Sequence, residues 1–315
     1  MKILLIDTIH PVFAEKLTAK GFEVVDGTTW TREKILEHIN EFVGISIRSR
    51  FKIDKSFLKQ SSTLKFITRA GAGMENIDVA FAETKGIACI SSPEGNRDAV
   101  GEHALGMLLM LLNRIKIADA EVRNGIWKRA ENRGTEIKNK SIGIIGFGNM
   151  GSTFAKKLQG FEANILAYDP YLKIDAKKFS FVKQVEMNEI FDQTDILSLH
   201  IPLNDETLFL VNDEYINRFN KNIYIINTAR GKNLRIADLV KNLKSGKVLG
   251  ACLDVLEYES TSFENLDAAS LPDDYKYLTQ SENVILTPHI AGWTHESNYK
   301  LADVLVEKIL QLKLI

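Results

Sequence analysis

Short apolar runs alternate with amphipathic stretches from the start of this chain. Residues 2–6 read as a strand and 11–20 as a helix closed by Gly21. Residues 22–25 read as a strand again, and 31–40 as a helix with Thr31 as its N-cap. Further strands are predicted at 43–47, 66–68 and 87–90. This rhythm predicts a parallel sheet with helices on both faces. A second series begins at 142–145 and continues at 164–168, 196–199, 223–226, 248–253 and 284–286. Between the two, the pattern predicts one long helix over 98–117, with Ala104, Leu105, Leu108, Leu109, Leu111 and Leu112 apolar over much of its circumference. Such a helix is expected to be buried, and two covers are open to it, the crevice between two domains or a partner subunit. An amphipathic helix over 296–312 ends the chain.

Composition narrows the picture. A length of 315 residues suggests two domains, and 45% hydrophobic with 26% charged residues describes an ordinary globular protein. A net charge of -1 makes no electrostatic case for nucleic acid or an anionic membrane. The longest apolar run, 104–112, is far short of the roughly 18 residues a membrane helix needs. The N-terminus reaches Asp7 after too short an apolar run for a signal peptide, and Cys89 and Cys252 alone make neither a disulfide framework nor a metal site. A cytoplasmic protein with reduced thiols and no metal is expected.

The strand at 142–145 runs into Gly146-Phe147-Gly148-Asn149-Met150-Gly151, which fits G-x-G-x-x-G, and then into a helical pattern. The glycines allow a tight turn, close approach of a pyrophosphate, and close helix–strand packing. Helix N–H groups then face the phosphates. The next strand ends at Asp169, an acid at the distance expected for holding the adenosine ribose hydroxyls. Such an acid would repel a 2′-phosphate, so NAD is expected over NADP. The first α/β series lacks this turn and is expected to hold the substrate. Two of its loops follow strands directly, Arg48-Ser49-Arg50 and Arg69-Ala70-Gly71-Ala72-Gly73-Met74-Glu75-Asn76. Ligands of open α/β sheets sit beyond such strand ends. Three further groups fall at strand ends in the second series: Arg230, Glu259 and His289. A histidine can exchange the proton of an alcohol, a carboxylate beside it orients the ring, and a guanidinium can grip a carboxylate at two points.

At these motifs the chain resembles the D-2-hydroxyacid dehydrogenases, and within them most closely the branch acting on 3-phosphoglycerate. The resemblance rests on Arg69-Ala70-Gly71, Gly146 to Gly151, Leu199-His200-Ile201-Pro202-Leu203, Asn227 to Gly231, Leu253-Asp254-Val255 and Thr287-Pro288-His289-Ile290-Ala291-Gly292. It implies two doubly wound parallel-sheet α/β domains, a Rossmann-type NAD domain at 96–292 and a discontinuous flavodoxin-like substrate domain at 1–95 and 293–315. It further implies His289 as acid/base, Glu259 as its partner and Arg230 as substrate clamp. Asn149, Met150, Asp169, His200, Pro202, Thr207, Thr228, Ala229, Asp254 and Gly292 would join the glycines, Arg230 and His289 around NAD. Arg48, Ser49, Arg69, Ala72, Gly73 and Asn96 would meet the substrate's acidic groups, and Arg129 would bind phosphate in a neighbouring subunit's site. A homodimer formed through the nucleotide domain follows, as does the absence of the serine-sensing regulatory domain of longer relatives. Ser260 stands where the family has proline, and the segment 260–281 is longer than the family pattern. Glu257 and Glu259 therefore both stand as partners for His289, with spacing from Asp254 favouring Glu259.

Overall fold

A computed structural model describes residues 1–259 and 271–314, which form two compact units. Unit 1 comprises residues 1–97 and those from 293 onward, and unit 2 residues 98–259 and 271–292. Part of the segment 260–281, residues 260–270, lies outside the described residues.

Unit 1 follows the alternating pattern: β1 (Lys2–Leu5), α1 (Val12–Thr18), β2 (Glu23–Asp26), α2 (Arg32–His38), β3 (Gly44–Ile47), α3 (Lys55–Lys59), β4 (Phe66–Arg69), α4 (Val79–Thr84) and β5 (Ala88–Ser91). All pairs are parallel, in the order β2-β1-β3-β4-β5, which is the flavodoxin-like winding. Thr31 caps α2 by accepting the Lys34 N–H, as its position predicts. The short helices α3 and α4 escape the sequence pattern because five or six residues are too few to show a 3.6 period.

The next helix corrects the reading of one long segment. There are two helices, α5 (Pro93–Leu112) and α6 (Ile115–Arg123). The first begins earlier than predicted because Pro93 is pre-set for an opening turn. It ends where Arg114 takes a left-handed conformation, φ 54°, which breaks the ladder before Ile115. Burial along α5 is one-sided. Ala104, Met107, Leu108, Leu111 and Leu112 enter the core, whereas Met110 is 37% exposed.

Unit 2 contains β6 (Ser141–Ile145), α7 (Asn149–Leu158), β7 (Asn164–Tyr168), β8 (Val182–Gln184), α8 (Met187–Gln193), β9 (Ile196–Leu199), α9 (Asp213–Asn217), β10 (Ile223–Asn227), α10 (Ile236–Ser245), β11 (Val248–Leu253), α11 (Asp273–Gln280) and β12 (Val284–Leu286). Its seven parallel strands run β12-β11-β10-β9-β6-β7-β8, the Rossmann order with one strand added at the β12 edge. The order reverses between β6 and β9, so the crevice at that switch point opens beyond their carboxyl ends.

The last helix, α12 (His295–Gln311), belongs to unit 1. Thr294 and Ser297 form a capping box at its start. Its buried stripe Ala302, Leu305, Val306 and Ile309 packs with Phe13, Leu17 and Phe66. Each large side chain so buried contributes about 2 kcal/mol. Lys308 pins the helix by donating to the Ser91 carbonyl at 2.8 Å and to both Glu94 carboxylate oxygens at 2.9 Å.

Candidate active site

The loop after β6 shows which glycines are packing requirements and which leave space. A Cβ on Gly151 would lie 2.0 Å from the Gly146 carbonyl oxygen, so α7 could not approach β6 with any side chain there. Gly146 has φ 86°, and a Cβ would meet the His200 carbonyl at 2.6 Å across the switch point. A Cβ on Gly148 would meet nothing within 4 Å. That space opens at the start of α7, a ten-residue helix with no side-chain cap, whose first N–H groups include those of Asn149 and Met150. An open, positively polarised helix start is a fit for a pyrophosphate.

Asp169 follows β7 and is tied to this loop. Its Oδ2 accepts the Phe147 N–H at 2.8 Å, and its Oδ1 accepts those of Tyr171 and Leu172 at 3.0 and 3.1 Å. Three of about four acceptor positions are thereby used, leaving one on Oδ2. Asp169 also lines an open cleft of about 430 Å³ with Tyr168, Pro170 and Tyr171. No arginine lines it.

Two buried polar atoms at neighbouring strand ends have no protein partner among the described residues: His200 Nδ1, after β9, and Thr228 Oγ1, after β10. Ser198 Oγ lies 2.8 Å from the other nitrogen of His200, and burial pushes the imidazole pKa down to about 3. The ring is therefore neutral near pH 7. Thr207 donates to the Pro202 carbonyl at 2.7 Å, which folds the loop after β9 onto itself. Asn227, fully buried, accepts the Ala229 N–H and donates to the Arg230 carbonyl, shaping the turn that presents Thr228, Ala229 and Arg230.

His289 and Glu259 meet after β12 and β11. Nδ1 of His289 lies 2.7 Å from Glu259 Oε2. Glu257 is engaged elsewhere: its Oε1 accepts the Ile236 N–H at 3.2 Å at the start of α10, and burial raises its pKa. Of the two acids, the geometry puts Glu259, the one favoured by spacing, on the histidine. His289 has φ 55°, a left-handed backbone rare for a residue with a side chain. Such a conformation costs about 1–3 kcal/mol and persists only where surroundings impose it. Asp254 imposes it. The His289 N–H donates to the Asp254 carbonyl, and the Ile290 and Ala291 N–H groups to Asp254 Oδ1 and Oδ2, at 2.8, 2.8 and 2.9 Å. The carboxylate, 1% exposed, is thus committed to the loop that carries the histidine. Gly292 closes the same turn and is the last residue of unit 2.

In unit 1 the predicted anion-binding residues share one sheet end. Asp7, two residues past the end of β1, accepts the N–H groups of Arg48, Ser49 and Arg50 on its Oδ2 at 2.6, 3.0 and 3.2 Å. The Arg48 carbonyl accepts from Arg69 Nε at 3.1 Å and from Asn76 Nδ2 at 3.2 Å. The Arg48 guanidinium lies 4.0 Å from the centre of the Trp293 ring. Arg50 donates to the Ile6, Gly27 and Trp30 carbonyls, so it braces the loop. Ala72 and Gly73 follow β4, and the Ser92 N–H joins their loop at the Gly71 carbonyl. Asn96, in the first turns of α5, has a buried Oδ1 with no partner among the described residues. Arg129 belongs to unit 2, on an exposed segment after α6. Asp7 and Trp293 carry no assignment from sequence, and Asn76 enters there only as the end of the 69–76 loop. Only Asp7 carried a readable signal, an acid directly after the predicted strand 2–6 of a doubly wound sheet.

Comparison with known proteins places the chain in a family. Residues 105–291 match the sequence model of the D-isomer specific 2-hydroxyacid dehydrogenase, NAD binding domain. A D-3-phosphoglycerate dehydrogenase of Methanocaldococcus jannaschii is 34% identical over 98% of this chain. The chain spans only 57% of that relative's length. A hydroxypyruvate reductase of Thermotoga maritima is 34% identical over 89% of this chain and 88% of its own. Among solved structures, the D-lactate dehydrogenase of Aquifex aeolicus in complex with NAD and lactic acid has a TM-score of 0.80, is 26% identical, and is matched over 99% of this chain and 95% of its own. Among the described residues no helix is long and apolar enough to cross a membrane. The chain belongs to the D-isomer specific 2-hydroxyacid dehydrogenase family.

Proposed function

We propose that the protein is an NAD-dependent cytoplasmic oxidoreductase that interconverts a D-2-hydroxyacid and its 2-keto acid, with 3-phosphoglycerate as substrate. The observation that carries the reaction type is the His289–Glu259 pair at 2.7 Å, on a loop locked by Asp254. With Nδ1 turned to the carboxylate, the proton exchanged with a substrate hydroxyl is the one on Nε2. Glu259 fixes the ring and stabilises the imidazolium as that proton arrives. Arg230 grips the substrate carboxylate and polarises the adjacent carbonyl. NAD, when bound, supplies the two-electron acceptor. Gly148, Asn149 and Met150 would hold its pyrophosphate, Asp169 its ribose, and His200, Pro202, Thr207, Thr228 and Ala229 its nicotinamide half. Recognition of the substrate's acidic groups is assigned to unit 1, through Arg48, Ser49, Arg69, Ala72, Gly73 and Asn96.

The choice of a phosphorylated substrate is supported by arginine at 48, 69 and 129 and by the similarity to phosphoglycerate dehydrogenases. Reduction of glyoxylate or hydroxypyruvate is the second reading, favoured by the relative of that name, which this chain covers almost end to end. A panel of 2-keto acids with NADH and NADPH separates them. Phosphohydroxypyruvate with NADH is expected to show the highest kcat/KM. Ready reduction of hydroxypyruvate without phosphohydroxypyruvate would sink the phosphate assignment, and faster turnover with NADPH the cofactor assignment. A non-catalytic NADH-sensing role, as in corepressors of this fold, predicts NADH binding with no turnover of any 2-keto acid.

A homodimer is proposed from α6, which buries none of its own side chains. Ile115, Val122, Ile126 and Trp127 on and after it are 49%, 52%, 41% and 79% exposed. A second copy would cover these and bring Arg129, on the same strip, towards a neighbouring site. Sedimentation velocity is expected to show a dimer that a Val122→Asp, Trp127→Asp variant dissociates. A monomeric parent protein would remove the proposal.

A further inference from the structure

The constraint on His289 extends beyond Asp254, through Thr287, to His103, a residue that the family motifs and the proposed chemistry leave unused. Thr287, two positions before His289, donates its hydroxyl to Asp254 Oδ1 at 2.6 Å. A hydroxyl has one proton, so its oxygen can only accept from any further polar neighbour. Besides the Met107 sulfur at 3.7 Å, which has no hydrogen to donate, that neighbour is His103 of α5, whose Nε2 lies 3.0 Å from Thr287 Oγ1 and 3.6 Å from Asp254 Oδ1. The direction of the threonine bond therefore fixes the histidine's role: Nε2 carries a hydrogen and donates it.

From this geometry we infer that His103 is a positioning residue for the acid/base step. It donates to Thr287, which directs the threonine hydrogen to Asp254. Asp254 in turn holds the backbone N–H groups of His289, Ile290 and Ala291 and with them the left-handed turn. Ring placement is what the step depends on, because a shift of about 1 Å at the reacting group can cost a hundredfold in rate. The side chain of His103 is 23% exposed and Asp254 is 1% exposed, so water does not substitute freely for the donor at the carboxylate. Direct contact of His103 with substrate forms no part of the inference, which rests on the acid/base reading of His289.

Two substitutions separate a donor from a space-filler. His103→Gln keeps an amide N–H at about the reach of Nε2, whereas His103→Phe keeps bulk and loses the donor. Both are measured in the full chain, by amide hydrogen exchange over 287–292 and by kcat and KM for hydroxypyruvate with NADH. His103→Phe is expected to speed exchange at Ile290 and Ala291 and to lower kcat about tenfold, with KM for NADH unchanged. His103→Gln is expected to stay within about threefold of the parent protein in both measurements. Equal behaviour of the two variants would overturn the inference, as would faster exchange in His103→Phe without loss of kcat. If hydroxypyruvate is not turned over, the exchange comparison alone decides between donor and space-filler. Failure of the underlying reading shows separately, as undiminished turnover in a His289→Ala variant.

Discussion

Replacing His289 with alanine is expected to lower kcat about a thousandfold, the scale on which a positioned acid/base contributes. NADH affinity and the thermal midpoint should change little, because the loop is held by backbone N–H groups that the substitution leaves in place. Glu259→Gln keeps the shape but removes the charge beside Nδ1, and its expected loss is smaller, about ten- to a hundredfold. The two effects should not add. With the imidazole gone, the acid has no ring to orient, so the double variant should resemble His289→Ala alone. Steady-state kinetics with NADH and the best 2-keto acid of the panel checks this. Turnover within a few-fold of the parent protein in His289→Ala would remove the acid/base assignment altogether.

The second large effect concerns two glycines three positions apart that fail for different reasons. Alanine at 151 places its Cβ 2.0 Å from the Gly146 carbonyl, on backbone that has nowhere to yield. The start of α7 must lift from β6. Overpacking of this kind costs about 1–3 kcal/mol, which lowers the thermal midpoint by several degrees and weakens NADH binding with it. Alanine at 148 meets nothing within 4 Å in the protein. Its methyl occupies the space assigned to the pyrophosphate, so NADH affinity should fall at least tenfold while the midpoint stays near that of the parent protein. NADH fluorescence titration beside thermal unfolding distinguishes the two. Equal loss of stability in both variants, or undiminished NADH affinity in Gly148→Ala, would mean that the loop has been misread.

Much of the architecture is local in origin and so was legible along the chain. Apolar runs of four to six residues separated by amphipathic stretches can bury both faces only as parallel strands under helices. The glycine spacing 146–148–151 and Asp169 after the next strand are likewise local, because a turn and a helix start are built from adjacent residues. Arg230, Glu259 and His289 could be named because each lies just past a strand, where open sheets expose their carboxyl ends.

What adjacency does not encode, the tertiary structure decided. Periodicity is silent about strand order, and the reversal between β6 and β9 that opens the crevice appears only once the sheet is assembled. One apolar pattern read as a single helix is two, since a left-handed Arg114 leaves the apolar spacing on either side almost unchanged. Glu257 and Glu259 differ in sequence only by their spacing from Asp254, which favours Glu259 without deciding it. They separate because the start of α10, from another part of the chain, takes Glu257. The supports within each unit, Asp7 beneath the Arg48–Arg50 loop in unit 1 and the relay from His103 through Thr287 to Asp254 in unit 2, join residues as far as 184 positions apart. Single polar side chains carry no periodicity, and only the fold reveals which buried donor each one answers.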